Sequence, residues 1–313
     1  MLDIFTMTGP RAPTPADSAA HPLRVALARG DRLVDRSAPA LRHLLGAPKR
    51  SLVNDAVVAH VGAMFDNLAL QLVMARGAEN DADLLEAFAE RLIEVEALRG
   101  HCQALAFEWR LALQLEEELA LDPVLSPALQ AMVADGEAIA APLAMAALTS
   151  QARFAQAQRR MELPLGELPA ELFHAVLIAA REVSGGEDGA SIAQAETRLR
   201  ARYDEATTRL AVLARLATNG LPGGVSLVIV ESAGVALWLS ALAARTGEAR
   251  DRTACATADP MLGRLLLTLR AAGLAPGEAE RQALRVQPDA ALPGGLGDVG
   301  TREAAQWLGE LRR

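Results

Sequence analysis

Glu171-Leu172-Phe173-His174 is the stretch of this chain that comes nearest to a metal or acid–base motif. Residues three apart on a helix share a face, so an E-x-x-H offers a carboxylate and an imidazole together, as di-iron carboxylate bundles require. Such a centre takes a second E-x-x-H and two further Glu from facing helices, and no second E-x-x-H exists here. The pair reads as a surface Glu beside a helical His, and His174 is kept as a candidate pocket residue.

His101, Cys102 and Glu108 make a second group on one expected helix. Neighbouring residues diverge by about 100° around a helix, which separates His101 from Cys102 as ligands of one ion. There is no C-x-x-C, Cys255 is distant in sequence, and His21, His43 and His60 fall at no ligand spacing. Neither a metal nor a cofactor is expected. His101 and Glu108 remain pocket candidates, and Glu231 joins them.

Other chemistries find less support. Ser232 follows an apolar run, Val225–Val230, but Glu231-Ser232-Ala233-Gly234 lacks the first Gly of a G-x-S-x-G elbow. Its expected work is to cap the helix holding Val235, Leu237 and Leu239. Gly185-Gly186 and Gly223-Gly224 have no following Lys-Ser/Thr, and Asp298 would oppose a phosphate at Gly294–Gly297. Glu116-Glu117-Glu118 reads as a solvated face. No catalytic residue is assigned.

One segment suggests contact rather than catalysis. Arg153, Phe154, Gln158, Arg159 and Arg160 form a basic, Gln-rich helix in an acidic protein. It is the candidate interaction surface, expected to dock on the acidic 79–122 region, on a partner or on RNA, in that order; the partner expected for the protein as a whole is another protein or a second copy of the chain.

The elements that must position these residues are helices. Hydrophobic residues make up 51% of the 313 positions but aromatics only 3%, so the core rests on Leu, Ala and Val. Sheets draw more heavily on aromatic and β-branched side chains. The fold class expected is all-α, a multi-helix bundle or short helical array, open to division into two related helical units. Lys49 is the sole lysine among 31 basic residues, a bias of GC-rich, bacterial-type coding to which no Arg-specific recognition is attached.

The net charge of −8 is unevenly spread, with a local +4 over residues 1–50 and −9 over residues 79–122. The acidic stretch argues against nucleic acid, whose phosphates need a basic face. Two cysteines fit a reducing compartment, and the N-terminus lacks the apolar run of a signal peptide, so a cytoplasmic location is expected. Val225–Ala244 is the one candidate membrane segment, twenty residues with Glu231 as its single charge. A buried core helix accounts for it better, because that acid would cost about 2.5–3.5 kcal/mol near a bilayer centre. Its first residues, 225–230, fit strand or helix equally.

Boundaries follow from Pro and Gly. Residues 1–47 read as a flexible basic arm with a short helix, 48–184 as one helical domain, and 190–313 as a second, joined by Gly185-Gly186-Glu187-Asp188-Gly189. Helices are expected over Ser51–Arg76, from Asn80 or Asp83 to Leu98, and from His101 to Leu121. Asp122-Pro123 then supplies an N-cap and first turn, with Gly136 as the stop. Ser191 with Gln194 opens a long helix striped by Leu199, Tyr203, Ala206, Leu210, Leu213 and Ala217.

The halves echo one another. Trp109 and Trp238 lie 129 residues apart, as do Leu163-Pro164 and Leu292-Pro293, while Asp122-Pro123 and Asp259-Pro260 lie 137 apart. Asp122–Gly136 and Asp259–Gly273 agree at six of fifteen positions, a hint of duplication. The functional expectation is a non-enzymatic protein acting through protein–protein contacts as adaptor, regulator or scaffold. The alternative is a helical small-ligand-binding protein or enzyme with its pocket between the two units.

Overall fold

A computed structural model describes residues 22–32, 56–78, 81–135, 140–183, 189–219, 226–258 and 261–310. Fourteen α-helices and no strand occur among them, so the all-α expectation holds. They are α1 (22–32), α2 (Ala56–Arg76), α3 (Ala82–Ile93), α4 (Glu96–Leu119), α5 (Pro127–Asp135), α6 (Ala140–Arg159) and α7 (Ala170–Val183). Then follow α8 (Gly189–Arg202), α9 (Arg209–Asn219), α10 (Val230–Thr246), α11 (Arg250–Cys255), α12 (Leu262–Ala271), α13 (Pro276–Val286) and α14 (Thr301–Glu310). Short 3₁₀ turns stand at Leu165–Glu167, Glu205–Thr207 and Leu296–Asp298.

Two apolar cores organise these helices. One gathers Phe65 and Leu68 of α2, Phe88 of α3, Leu98 and Leu105 of α4, and Phe173 and Val176 of α7. The other gathers Trp109 and Leu115 of α4, Leu213 of α9, Trp238 of α10, Leu266 of α12 and Trp307 of α14. Each such Leu or Phe contributes about 1.5–3 kcal/mol by leaving water. The helix α4 runs through both cores, its first half in one and its second in the other. Phe154 of α6 is half-buried and packs against both.

Several local expectations change in the structure. Gly100 does not end a helix: the chain breaks at Glu94 and Val95 instead, and Asp81 caps α3 through the Leu84 N–H at 2.9 Å. Asp122 closes a turn, accepting from the Val124 and Leu125 N–H groups, and α5 starts only at Pro127, with Ser126 Oγ accepting from the Leu129 N–H. Gly136, Asp259 and Pro260 lie outside the described residues, while Gly273 does take the left-handed turn after α12, at φ 100°. Ser191 sits inside α8 rather than opening it. The long striped helix is cut after Arg202, because the Asp204 carboxylate accepts the Ala206 N–H and builds a 3₁₀ turn between α8 and α9.

Residues 226–229 are turn, neither strand nor helix, and α10 begins at Val230. The Val230 N–H donates to Gln282 Oε1 at 2.9 Å, so Gln282 does the capping expected of Ser232. Apolar on all sides, α10 threads the second core. It kinks at Gly234, φ 70°, where a Cβ would come within 2.6 Å of Ser126 Cβ. Ala56–Arg76 is the helix among the described residues that is long and apolar enough to cross a membrane by length and composition, with 44% of its apolar window buried.

From the N-terminal arm, α1 packs on α12. A Cβ on Gly263 would stand 2.9 Å from Ala26 Cβ, which shows how closely the backbones approach. The buried Arg264 ties the contact by donating to Asp31 at 2.8 Å and to Glu248 at 2.7 Å.

Candidate functional site

A cavity of about 250 Å³ opens where the two cores meet. His101 and Leu105 of α4, Phe154 and Ala157 of α6, Pro164 of the following loop and Arg209 of α9 line it. Its walls thus come from both sides of the Gly185–Gly189 segment.

Each wall is held by bonds between residues distant in sequence. Asn67 and Gln71 of α2 fix the loop: the Leu163 N–H donates to Asn67 Oδ1 at 3.1 Å, and the Leu165 N–H to Gln71 Oε1 at 2.9 Å. Gln71 Nε2 returns a bond to the Leu163 carbonyl at 2.8 Å. The starts of α7 and α9 cap each other, since the Ala170 N–H donates to Glu205 and the Arg209 N–H to Glu167. That exchange satisfies amides that a helix start leaves open, and it sets Arg209 at the cavity wall.

Behind Arg209 lies a buried ionic cluster. Glu108, 1% exposed, accepts two bonds from Arg209, at 2.7 and 3.0 Å, and two from Arg250, at 2.9 and 2.8 Å. Burial by itself would raise the Glu108 pKa, but the charges and bonds of the two guanidinium groups outweigh it and hold the carboxyl far below its usual range. The same attraction overcomes burial at Arg250 and raises its pKa. Gln151 Oε1 takes a further Arg209 bond at 3.1 Å. The Arg209 guanidinium lies 3.6 Å from the centre of the Phe154 ring, which meets Trp109 edge to face at 6.2 Å.

His101 completes the site. Its side chain is 1% exposed, and Nδ1 stands 2.8 Å from Asp251 Oδ2 on α11. A carboxylate oxygen accepts, so Nδ1 carries a hydrogen, and the tautomer this selects for a neutral ring has its lone pair on Nε2. That Nε2 is buried and has no hydrogen-bond partner among the described residues. Buried polar atoms are nearly always paired, and His101, whose Nε2 has no partner among the described residues, is one of the residues lining the cavity.

Of the pocket candidates, the structure brings His101 and Glu108 together and leaves the other two elsewhere. His174 is exposed on α7, with Arg200 NH2 at 3.1 Å from its Nδ1. Glu231 accepts from Gln282 at 2.9 Å and from Arg285 at 3.1 Å, bracing the start of α10.

The candidate interaction surface also divides. Arg153, Arg159 and Arg160 are exposed, and Arg153 faces Glu167 at 3.6 Å. Gln158 is buried, its Oε1 2.9 Å from His60 Nε2 and its Nε2 3.0 Å from the Glu162 carbonyl. With Phe154 turned inward as well, these two residues belong to the cavity wall rather than to a surface.

No group of three or more His, Cys, Asp or Glu that could hold a metal occurs among the described residues. Nor do the residues lining the cavity include a Ser, Thr, Cys or Lys. Burial, with Asp251 nearby, pushes the Cys255 thiol up to about 12 and raises Cys102 likewise, which keeps both as thiols. A larger open groove of about 680 Å³ runs along α4 beside Val286–Ala290. Its Gln287 is already committed to the Thr257 and Ala258 carbonyls, and no buried side-chain atom without a partner borders it among the described residues.

No known protein family matches this chain, and neither a curated protein nor a solved structure does.

Proposed function

We propose that this protein binds a small, mainly apolar molecule in the cavity between its two cores. The observation that carries this reading is the pairing of an apolar chamber with one buried, unpartnered atom, His101 Nε2. Ligand sites have this composition, apolar walls with a few placed polar groups.

The contact-based adaptor reading has less behind it. The large exposed apolar residues, Val25, Met74, Leu113, Met145 and Met161 among them, are spread over α1, α2, α4, α6 and the loop after α6. Two residues of the expected contact surface, Phe154 and Gln158, are engaged inside.

The test is to purify the protein from its native cells without denaturant, unfold it, and analyse the released small molecules by mass spectrometry. Ala157→Leu places a side chain in the cavity and serves as the control, its fold checked by thermal melting. The expected result is one compound near stoichiometric amount in the native protein and missing from the variant. A native protein that releases nothing, and is not stabilised by any of a panel of small aromatic compounds, would contradict the proposal.

A further inference from the structure

We infer that the ligand is neutral and largely apolar, that it carries a single hydroxyl or ring N–H, and that His101 reads this hydrogen through Nε2. This rests on the cavity being a binding site and goes on to specify what it selects.

Neutrality follows from the charges around the cavity. Glu108 and Asp251 are matched by Arg209 and Arg250 in one connected group, and Arg153 is matched by Glu167 at 3.6 Å. A carboxylate or phosphate ligand needs an uncommitted cation, and Arg209 already gives both of its terminal nitrogens to Glu108. A cationic ligand would need an uncommitted acid. Glu108 meets four guanidinium bonds, and Glu167 is shared between Arg153 and the Arg209 N–H. Either kind of ion would be desolvated on entry without compensation.

Polarity follows from His101. With Nδ1 held by Asp251 at 2.8 Å, the neutral ring presents an acceptor, not a donor, on its remaining nitrogen. A ligand hydroxyl or N–H satisfies that acceptor, while a methyl in its place leaves it bare. Discrimination of this kind is strong because the loss falls on a buried polar atom that water no longer reaches. Asp251 acts through the ring and is a positioning residue.

Size follows from volume. A cavity of about 150 Å³ accepts benzene, so one of about 250 Å³ suits a compact two-ring molecule. The probes are therefore 2-naphthol and 2-methylnaphthalene, which differ by a hydroxyl against a methyl, titrated calorimetrically at pH 7, where the naphthol is neutral.

The native protein is expected to bind 2-naphthol about tenfold more tightly than 2-methylnaphthalene. His101→Phe is expected to bind the two equally, chiefly by losing naphthol affinity. Asp251→Ala keeps the ring but frees its tautomer, and is expected to lower the ratio of naphthol to methylnaphthalene affinity. That ratio keeps the inference testable should His101→Phe fail to fold. Equal binding of both probes by the native protein would overturn the role of His101 and leave the cavity standing. Binding of neither probe, or unaltered binding by Ala157→Leu, would overturn the cavity reading and the inference with it.

Discussion

His101 Nδ1 donates to Asp251 Oδ2 across 2.8 Å, joining α4 to α11 over 150 residues of chain. The bond places a hydrogen on Nδ1, so a neutral ring has Nε2 as the acceptor that the inferred ligand would meet. It also sits beside the Glu108–Arg250 contact, so the atom that selects the ligand and the charges that set the cavity's neutrality are parts of one cluster.

Glu108 is the keystone of that cluster. Glu108→Gln leaves Arg209 and Arg250 buried without a counter-charge, and is expected to destabilise the protein by about 3–5 kcal/mol in urea unfolding. Because the Glu108 pKa lies below its unfolded value, its stabilisation is full above about pH 4.3 and disappears as the pH falls toward the folded value. The glutamine variant should lack this share of the acid sensitivity. A loss below about 1 kcal/mol would show that the cluster contributes no more than surface ion pairs do.

His60 gives a dependence of the same sign at milder pH. Burial lowers its pKa, only partly offset by the bond to Gln158. Between that lowered value and about 6.5 the unfolded chain binds the proton and the folded protein does not, so stability rises with pH through this window. His60→Gln should flatten the rise in urea midpoints between pH 5 and 7. An unchanged slope would place the titrating group elsewhere.

Gly234 tests the close contact of α10 with α5. Its φ of 70° opposes a side chain, and so does the 2.6 Å distance at which a Cβ there would meet Ser126. Gly234→Ala is expected to cost about 2–4 kcal/mol by strain and overpacking. Gly309→Ala, within α14 and with open space around it, should be neutral or stabilise by up to about 1 kcal/mol. Equal effects at the two sites would argue against the kink.

Composition and apolar spacing made the helical class readable, because a core of Leu and Ala has few ways to pack other than helix on helix. Helix ends were less readable, since side chains compete for them. Asp204 stops a stripe that runs on past it, and Gln282, over fifty residues away, replaces Ser232 as the cap of Val230. Half of the site was visible in the same way. His101 and Glu108 lie two turns apart on one helix, but Asp251, Arg209 and Arg250 reach them from more than 100 residues away, with no local signal. The abundance of Arg, a compositional bias, hid the few that are buried. Gln158 read as surface because its partners, His60 and Glu162, lie one in another helix and one in a loop.

The most direct measurement is nitrogen NMR of protein labelled with ¹⁵N-histidine, following the His101 ring before and after addition of 2-naphthol. The expected spectrum shows Nδ1 protonated and Nε2 as an unprotonated acceptor, whose resonance moves when naphthol is added and stays in place with 2-methylnaphthalene. A protonated Nε2 in the free protein, or a ring that responds to neither compound, would contradict the account.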